Sequence, residues 1–375
     1  MYLNFLRRRA AVALKRQACT ARTPADVPKD ANVLLVSVQH ELARTQTYPF
    51  YFYKRELRSR HGIRFAEMPL EGILDAIGKG VATGPPVKQV KRIFFQPFLH
   101  MDDMEQAKAL RYLKDNFPNA RIALMDWFAP LHVRPSVTSA PFIDLYIKKQ
   151  TFRDFSQYER PTIGDTNLND YYARRHDIAD APMQFSAPPG LAEKIRLGSN
   201  FGLSPQMVDL FLGPPPTMSG RDIDLHARIA ANGTPWYQAM RQEAKRAVAG
   251  MNDIRVASEG RVKRVKFFAE MKRSKICFSP FGYGEVCWRD YEAFATGALL
   301  LKPDMGHLTV APDVFIPDET YVSLRWDLAD FPEKVHAWLG NHAARERIAL
   351  QAFYKMRSSI TSLECVDEIG AWCNA

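Results

Sequence analysis

The sequence predicts an α/β protein built from two Rossmann-like domains that face a central cleft. Short apolar runs alternate with helix-forming stretches before residue 150, and the same alternation resumes after residue 221. Between them lies a region without periodicity that is rich in proline and includes Pro214–Pro215–Pro216. Strands that alternate with helices form parallel sheets, which bind their ligands at the carboxyl ends of the strands.

The first domain begins near Ala31 with NVLLVSV (32–38), an apolar run without helical period that is typical of a buried parallel strand. Helices are predicted around Tyr48–Arg60 and over residues 101–117, where good helix formers make an amphipathic pattern. Further strands of this domain are predicted over residues 63–70, 92–98, 121–127 and 142–148.

The second domain starts near Asp222, and its first helix, over residues 235–251, has Thr234 as N-cap and Pro235 at its first position. Strands are predicted over residues 223–229, 254–258, 276–280, 298–304 and 321–326. Helices are predicted over residues 261–273 and 286–296 and in two C-terminal segments, and a short helix over residues 191–198 of the intervening region.

These changes of pattern predict five segments. They are a basic tail over 1–29, an N-terminal Rossmann-like domain over 30–157, an interdomain region over 158–220, a C-terminal Rossmann-like domain over 221–360, and a C-terminal helix over 361–375.

The composition indicates an ordinary globular chain. Its 375 residues are 46% hydrophobic and 25% charged, which excludes a disordered or fibrous protein. No apolar run approaches the roughly 18 residues that a membrane-spanning helix needs. The five cysteines are odd in number and no pair has CxxC spacing, which indicates a reducing, cytoplasmic compartment rather than a disulfide framework or a zinc site.

The net charge of +10 is concentrated in two places. Residues 1–29 hold seven Lys or Arg and one acidic residue, and residues 241–275 hold eleven Lys or Arg and four acidic residues. A secretory signal is a poor interpretation of the tail, because Lys15 and Arg16 interrupt its apolar centre. Two interpretations of the tail fit its sequence: a helix that lies on an anionic membrane surface, or a frayed, solvated terminus.

The most informative motif is SPFGYGE…WRDYEAFATGALLLKPDM, which follows the strand at 276–280. Gly282 and Gly284 allow backbone N–H groups to approach an anion, and the helix that follows favours negative charge at its N-terminus. Arg289 is able to pair with phosphate, Glu292 to accept hydrogen bonds from a ribose diol, and Lys302 to neutralise a diphosphate. Together they predict a diphosphate site; a plain strand-to-helix turn with an intrahelical Arg–Glu pair is the structural alternative.

This motif resembles the C-terminal domain of GT-B glycosyltransferases, with most similarity to bacterial group-1-like and CgeB-like or exostosin-like relatives. The resemblance is close over residues 275–327 and only architectural before residue 221. It implies an N-terminal acceptor domain and a C-terminal domain that binds a nucleoside-diphosphate sugar, without metal or cofactor. It places in the donor site Arg228, Gly282, Tyr283, Gly284, Arg289, Glu292, Lys302 and His307, with Glu285 as a catalytic residue facing the sugar.

The resemblance leaves the stereochemistry open. Many retaining members have two glutamates eight positions apart, whereas Glu285 and Glu292 are seven apart. An inverting enzyme also needs a base for the acceptor hydroxyl, which the first domain would supply. The candidates follow predicted strands: Asp126 and His100 are favoured over His40, although a structural role is common for each of these positions.

Two other enzyme classes fit parts of the sequence less well. A dinucleotide-binding oxidoreductase is suggested by Gly282-x-Gly284 with Asp304 twenty residues beyond Gly284, but Cys287 replaces the third glycine and the loop follows the third strand. A metal-dependent GT-A enzyme would use a DxD site such as Asp222–Ile223–Asp224, a string that leads into an apolar strand.

A non-enzymatic nucleic-acid-binding protein also fits the basic charge, but no recognised motif accompanies it, so we expect no specific nucleic-acid partner. The sequence therefore predicts a cytoplasmic glycosyltransferase that moves sugar from a nucleoside-diphosphate sugar to a saccharide or lipid-linked acceptor. Bacterial surface polysaccharide synthesis is the expected setting, with residues 1–29 meeting the membrane surface.

Overall fold

Strands and helices alternate along the computed structural model, which describes residues 20–80, 85–134, 141–180, 182–183, 190–258 and 260–374. The strands are β1 Val33–Ser37, β2 Phe65–Pro69, β3 Arg92–Phe95, β4 Arg121–Asp126, β5 Ile143–Lys148, β6 Gln150–Phe152, β7 Thr162–Ile163, β8 Pro182–Met183, β9 Ile195–Leu197, β10 Ile223–His226, β11 Val256–Ala257, β12 Ser274–Phe278, β13 Leu299–Pro303, β14 Leu308–Val310 and β15 Val322–Leu324.

Helices connect most of these strands. They are α1 Arg44–Phe52, α2 Lys54–His61, α3 Leu70–Gly78, α4 Asp103–Asn116, α5 Asn167–Arg175, α6 Leu191–Lys194, α7 Pro205–Leu212, α8 Pro235–Ala249, α9 Arg264–Lys272, α10 Trp288–Thr296, α11 Phe331–Gly340, α12 His342–Thr361 and α13 Glu364–Asn374. Short 3-10 turns lie at Pro24–Asp26, Phe155–Glu159 and Phe201–Leu203.

Two parallel sheets form the framework. The first has the order β2-β1-β3-β4-β5-β9, and the second has the order β11-β10-β12-β13-β15. Within each, the chain winds outward from its first strand in both directions, which is the doubly wound arrangement. The strands are apolar along their length because helices cover both faces, and every residue of β1 and of β13 is buried. The predicted two-domain Rossmann-like fold is confirmed.

The carboxyl edges of the two sheets meet at the loop that follows β12. At Gly284 this loop presses against Ala129, which follows β4 in the first sheet. A Cβ atom added to Gly284 would lie 2.3 Å from the carbonyl oxygen of Ala129, so no larger residue fits there. The carboxyl edges of both sheets therefore approach one another at this junction.

A two-stranded antiparallel sheet, formed by β6 and β14, also connects the two domains. Strand β6 follows β5 of the first sheet, and it pairs with β14 of the second domain. Beyond it, the backbone N–H of Arg153 donates to the carbonyl of His307 at 2.9 Å. The segment after β5 thus leaves the first sheet and attaches to the second domain.

Two sequence predictions of secondary structure are corrected. Residues 191–198 are not one helix, because α6 ends at Lys194 and β9 then pairs in parallel with β5. The C-terminal region holds three helices rather than two. The last of them, α13, returns to the first domain, where Trp372 packs edge-on against Phe94 and Asp367 pairs with Arg60 at 2.9 Å.

The predicted basic tail divides into two parts. Residues 1–19 lie outside the described part of the chain. Residues 20–29 dock on the first sheet, where Ala21 is buried and its N–H donates to the carbonyl of Glu67 at 2.7 Å. No helix within the described ranges is long and apolar enough to cross a membrane. The five predicted domain segments remain a prediction.

Candidate active site

Glu285 lies at the junction between the domains and is fully buried. Its carboxylate accepts hydrogen bonds from three segments: Gln150 of β6 at 3.1 Å, Asn167 of α5 at 2.8 Å and His307, which precedes β14, at 3.2 Å. Burial by itself raises the pKa of Glu285. The hydrogen bond and charge of His307, with the bond from Asn167, outweigh burial and leave that pKa below its usual value.

The predicted glycine loop is a tight turn before α10. The N–H of Gly282 donates to the carbonyl of Gly284 at 3.0 Å. Tyr283 projects outward and stacks on Tyr237 with ring centroids 4.3 Å apart, and its hydroxyl accepts from the N–H of Thr234 at 3.1 Å. The loop is therefore anchored to the start of α8 at the same sheet edge.

Lys302, predicted to bind the donor, lies elsewhere than expected. It is fully buried and forms an ion pair with buried Asp290 at 3.1 Å. Asp290 also accepts from the hydroxyl of Ser279 at 2.6 Å and from the N–H of Cys287 at 2.8 Å, which caps α10. The lysine thus holds the start of α10 in place and does not reach the cleft. Lys302 does not line the cationic cavity described below, and a direct contact with the donor stays a prediction.

A cationic cavity of about 780 Å³ opens beside the glycine loop. It lies beyond the carboxyl ends of β10 and β11, between α8 and the start of α9. Among the described residues of its wall there are five cationic side chains and no acidic one. The cations are Arg228, Arg241, Lys245, Arg261 and Arg289, and apolar wall is supplied by Ile229, Val248, Val262 and Phe267.

Arg289 and Arg241 each have a buried guanidinium nitrogen without a hydrogen-bond partner among the described residues. Arg289 donates only to backbone carbonyls, those of Arg228 and Phe278, and its Nε is buried without a partner in the described structure. Arg241 is buried, donates through Nε to the hydroxyl of Tyr237 at 3.0 Å, and leaves Nη1 without a described partner. Buried donors without partners cost free energy, which an anionic ligand would recover.

The two remaining donor-site candidates are already paired. Arg228 lines the cavity but forms a bidentate pair with Glu270 at 2.7 and 2.9 Å, so its charge is largely compensated. Glu292 is 8% exposed and lies 3.8 Å from Arg264, and burial raises its pKa against the opposing charges of Arg264 and Arg289. Glu292 is therefore placed on the face of α10 that is nearest to α9.

Asp126, the favoured candidate for a base, is locked by its neighbours. One carboxylate oxygen accepts from Lys148 at 2.7 Å and from the hydroxyl of Tyr146 at 2.6 Å, and the other accepts from the N–H of Phe128 at 3.0 Å. Asp126 and Lys148 are each 1% exposed. Both oxygens of Asp126 are thus occupied by donors of the protein itself, and this arrangement leaves no oxygen directed at a ligand, which argues against Asp126 as the base.

His100 lies exposed at the rim of a second cavity, of about 330 Å³, at the carboxyl edge of the first sheet. Asp126, His132, Arg134 and Asp165 also line it. Lys148 shapes this cavity by donating to the carbonyls of Pro130 and His132, both at 3.1 Å. The first domain thus has its own pocket on the side that faces the glycine loop.

The DxD string does not reach either cavity. Asp222 pairs with Arg273 and Asp224 pairs with Lys275 at 2.6 Å, and both aspartates lie at the amino end of β10. Within the part of the chain that the structure describes, no group of three or more His, Cys, Asp or Glu side chains is arranged to hold a metal ion.

The structure adds two residues that sequence reasoning did not select. Arg241 is in the middle of α8, and the only signal for it was the excess of basic residues over 241–275. Asp165 lies in the loosely patterned region 158–220, where no periodic signal pointed to a site.

Solved structures of similar architecture decide the fold. An α-glucosyltransferase solved with UDP and a 13-mer DNA is 10% identical to this chain, covers 92% of it over 100% of its own length, and has a TM-score of 0.50. The chain has the GT-B fold. At this identity the likeness concerns the fold alone. No protein-family model and no curated protein matches the sequence.

Two further similar structures have TM-scores below 0.5. A glycosyltransferase from Rickettsia africae has a TM-score of 0.47 at 10% identity, with 92% of this chain and 99% of that chain covered. TarM from S. aureus has a TM-score of 0.46 at 13% identity, with 81% of this chain and 57% of that chain covered.

The assignment of Lys302 to the core predicts a stability defect. Lys302→Met leaves Asp290 buried and unpaired, so we expect the free energy of unfolding to fall by about 3 kcal/mol or more. Urea denaturation followed by circular dichroism measures this change. Lys79→Met is the matched control, because Lys79 forms only an exposed pair with Asp75 and should change stability by less than about 1 kcal/mol. Equal stability of the two variants would show that Lys302 is not a structural residue.

Proposed function

We propose that this protein is a glycosyltransferase that moves a sugar from a nucleoside-diphosphate sugar to a saccharide or lipid-linked acceptor. The observation that carries the proposal is the cationic cavity beside the glycine loop, whose described wall has five cations and no acid. Arginine binds phosphate in a planar, bidentate geometry, and unpaired guanidinium groups at the carboxyl edge of a parallel sheet fit a diphosphate.

The cavity fits both ends of a nucleotide. Arg289 and Arg241 line the cavity and form no ion pair with an acidic side chain among the described residues, and each has a buried guanidinium nitrogen without a described partner. The apolar wall around Phe267 and Val262 offers a surface for a base. In the reaction these fixed cations stabilise the negative charge that develops on the leaving diphosphate, which does not require a metal ion.

Glu285 and His307 have a positioning role in this scheme. Hydrogen bonds from three side chains engage the Glu285 carboxylate, so it holds the glycine loop at the junction rather than acting as a free acid or nucleophile. His307 packs edge-on against Trp326 at 5.0 Å, and its ring is partly exposed. We assign this exposed part of the ring to the transferred sugar. Glu292 is assigned to the ribose hydroxyls, with Arg264 close by.

Membrane association and a role in bacterial surface polysaccharide synthesis are also part of the proposal. Residues 1–19 hold five basic residues and no acidic residue, and this charge would bring the protein to an anionic surface where lipid-linked acceptors are found. Specific binding of nucleic acid is not expected, because the basic stretch 241–275 is used in part by the donor cavity.

The donor site is tested by the loss of one guanidinium. Arg289→Met keeps the length of the side chain and removes its charge, so UDP affinity should fall roughly 10-fold or more, as for a lost charged hydrogen bond. Isothermal titration calorimetry with UDP measures this. Arg347→Met is the control, because Arg347 is exposed on α12 and lines neither cavity.

A thermal-shift screen with UDP-, GDP-, ADP-, CMP- and dTDP-sugars beside NAD and NADP is run first on the unmodified chain, because a ligand of the native state raises its midpoint. UDP is the first nucleotide to test, since a protein of the same fold was solved with it. A rise with NAD alone would overturn the transferase in favour of an oxidoreductase. Unchanged UDP affinity in Arg289→Met and in Arg241→Met would overturn the donor site.

The membrane role predicts a separate effect of the N-terminal segment. Removing residues 1–19 deletes five positive charges and keeps Ala21, which packs on the first sheet, so binding to phosphatidylglycerol vesicles should fall roughly 10-fold or more. Vesicle co-sedimentation measures this, with phosphatidylcholine vesicles as the neutral control and UDP affinity as the check on folding. Equal binding to phosphatidylglycerol by the shortened chain would remove the membrane role from this segment.

A further inference from the structure

Two described carboxylates line the 330 Å³ cavity of the first domain, and one of them is not held in an ion pair. Asp126 is committed to Lys148, Tyr146 and a backbone N–H. Asp165, which lines the same cavity, is exposed and forms no ion pair with a cationic side chain among the described residues. Of the two described carboxylates that line the cavity, Asp165 alone is therefore available to accept a proton.

The turn that carries Asp165 has a defined geometry. Gly164 adopts a positive φ of 69°, and a Cβ atom there would fall 1.6 Å from the amide nitrogen of Asn169, so the chain reverses at a glycine. The next residue after Asp165 is Thr166, whose hydroxyl caps α5 by accepting from the N–H groups of Leu168 and Asn169. Asp165 is thus fixed between a glycine turn and a helix cap.

The same turn reaches the donor side. Two residues after Asp165, Asn167 donates to Glu285 at 2.8 Å, and Glu285 directly follows the glycine loop. The turn at 165–167 therefore links the wall of the 330 Å³ cavity to Glu285, next to the proposed sugar end of the donor site. A ligand hydroxyl bound in this cavity would approach the donor along this link between Asn167 and Glu285.

We propose that Asp165 is the general base that takes the proton of the acceptor hydroxyl, with the 330 Å³ cavity as the acceptor site. The acceptor O–H gives its proton to the Asp165 carboxylate as its oxygen forms a bond to the anomeric carbon. The bond between that carbon and the phosphate oxygen breaks, and its electron pair leaves with the nucleoside diphosphate. A displacement of this kind inverts the anomeric configuration.

The electrostatic surroundings suit a base. Partial desolvation in the concave wall raises the pKa of Asp165, and the charge of nearby Asp180 adds to it, against a hydrogen bond from Asn169. Burial lowers the pKa of His132 to about 4, so that ring is neutral at neutral pH. The titratable and charged groups that face Asp165 from the packed elements are His100, Asp126 with its partner Lys148, His132, Arg134 and Asp180.

The test measures turnover with water and glycerol as probe acceptors. It uses the nucleotide sugar that gives the largest thermal shift, and it follows release of the nucleoside diphosphate. Asp165→Asn should reduce turnover about 100-fold or more, the usual contribution of a general base, with donor affinity and melting midpoint unchanged. Asp177→Asn is the matched control, because Asp177 is exposed after α5, lines neither cavity, and has a positive φ that Asn tolerates.

The pH profile and the product separate a base from a structural residue. In the unmodified chain, turnover should fall as the pH drops through the raised pKa of Asp165, because the protonated carboxyl cannot accept a proton. That acid limb should be absent in Asp165→Asn. Proton NMR of the first product should show the anomer opposite to that of the donor.

This inference rests on the proposed function, and the outcomes keep the two apart. Absence of nucleotide-sugar binding in the unmodified chain would contradict the proposed glycosyltransferase function. If Asp165→Asn binds the donor and turns over at an unchanged rate with its acid limb intact, Asp165 is not the base. A product with retained configuration would also exclude Asp165 as the base. Either result leaves the proposed glycosyltransferase activity unaffected.

Discussion

The buried carboxylate of Glu285 is the contact on which the arrangement of the two domains depends. A carboxylate that is removed from water is stable only when hydrogen bonds replace its hydration, and here the three donor side chains come from β6, α5 and the turn before β14. The carboxylate therefore fixes the glycine loop against both the segment that leaves the first sheet and the turn that carries His307. Ala129 allows this approach only because residue 284 is glycine.

Two buried ion pairs support the junction from either side. In the first domain, Lys148 binds Asp126 and also the carbonyls of Pro130 and His132, so it sets the shape of the smaller cavity. In the second domain, Lys302 binds Asp290 at the start of α10, whereas Arg289 lines the cationic cavity. Each pair stands at the carboxyl end of a central strand, where function is expected, yet each acts as support. The groups that remain for chemistry are those without such partners.

The sequence was sufficient to predict the parallel sheets and the glycine loop, because apolar runs, glycines and helix-start signals are local properties of the chain. It was not sufficient to tell Lys302 from Arg289. Both are basic residues near the ends of predicted elements, and only the packing of α10 against β13 shows that one meets Asp290 while the other meets backbone carbonyls. Arg241 and Asp165 were missed because their environment is made by distant segments: the loop after β11 for the first, and Phe128–Arg134 for the second. The sequence pattern predicts a helix where β9 lies, because the three residues of this strand are too few to show a period of two.

We propose that the cationic cavity beside the glycine loop is the anion-binding site of this chain. The most direct measurement is a crystal structure of the protein grown with UDP. We expect the diphosphate in the cationic cavity, within hydrogen-bond distance of the guanidinium groups of Arg289 and Arg241, with Lys302 still paired to Asp290. A diphosphate that is bound at another edge of the molecule, or that displaces Asp290 from Lys302, would contradict it.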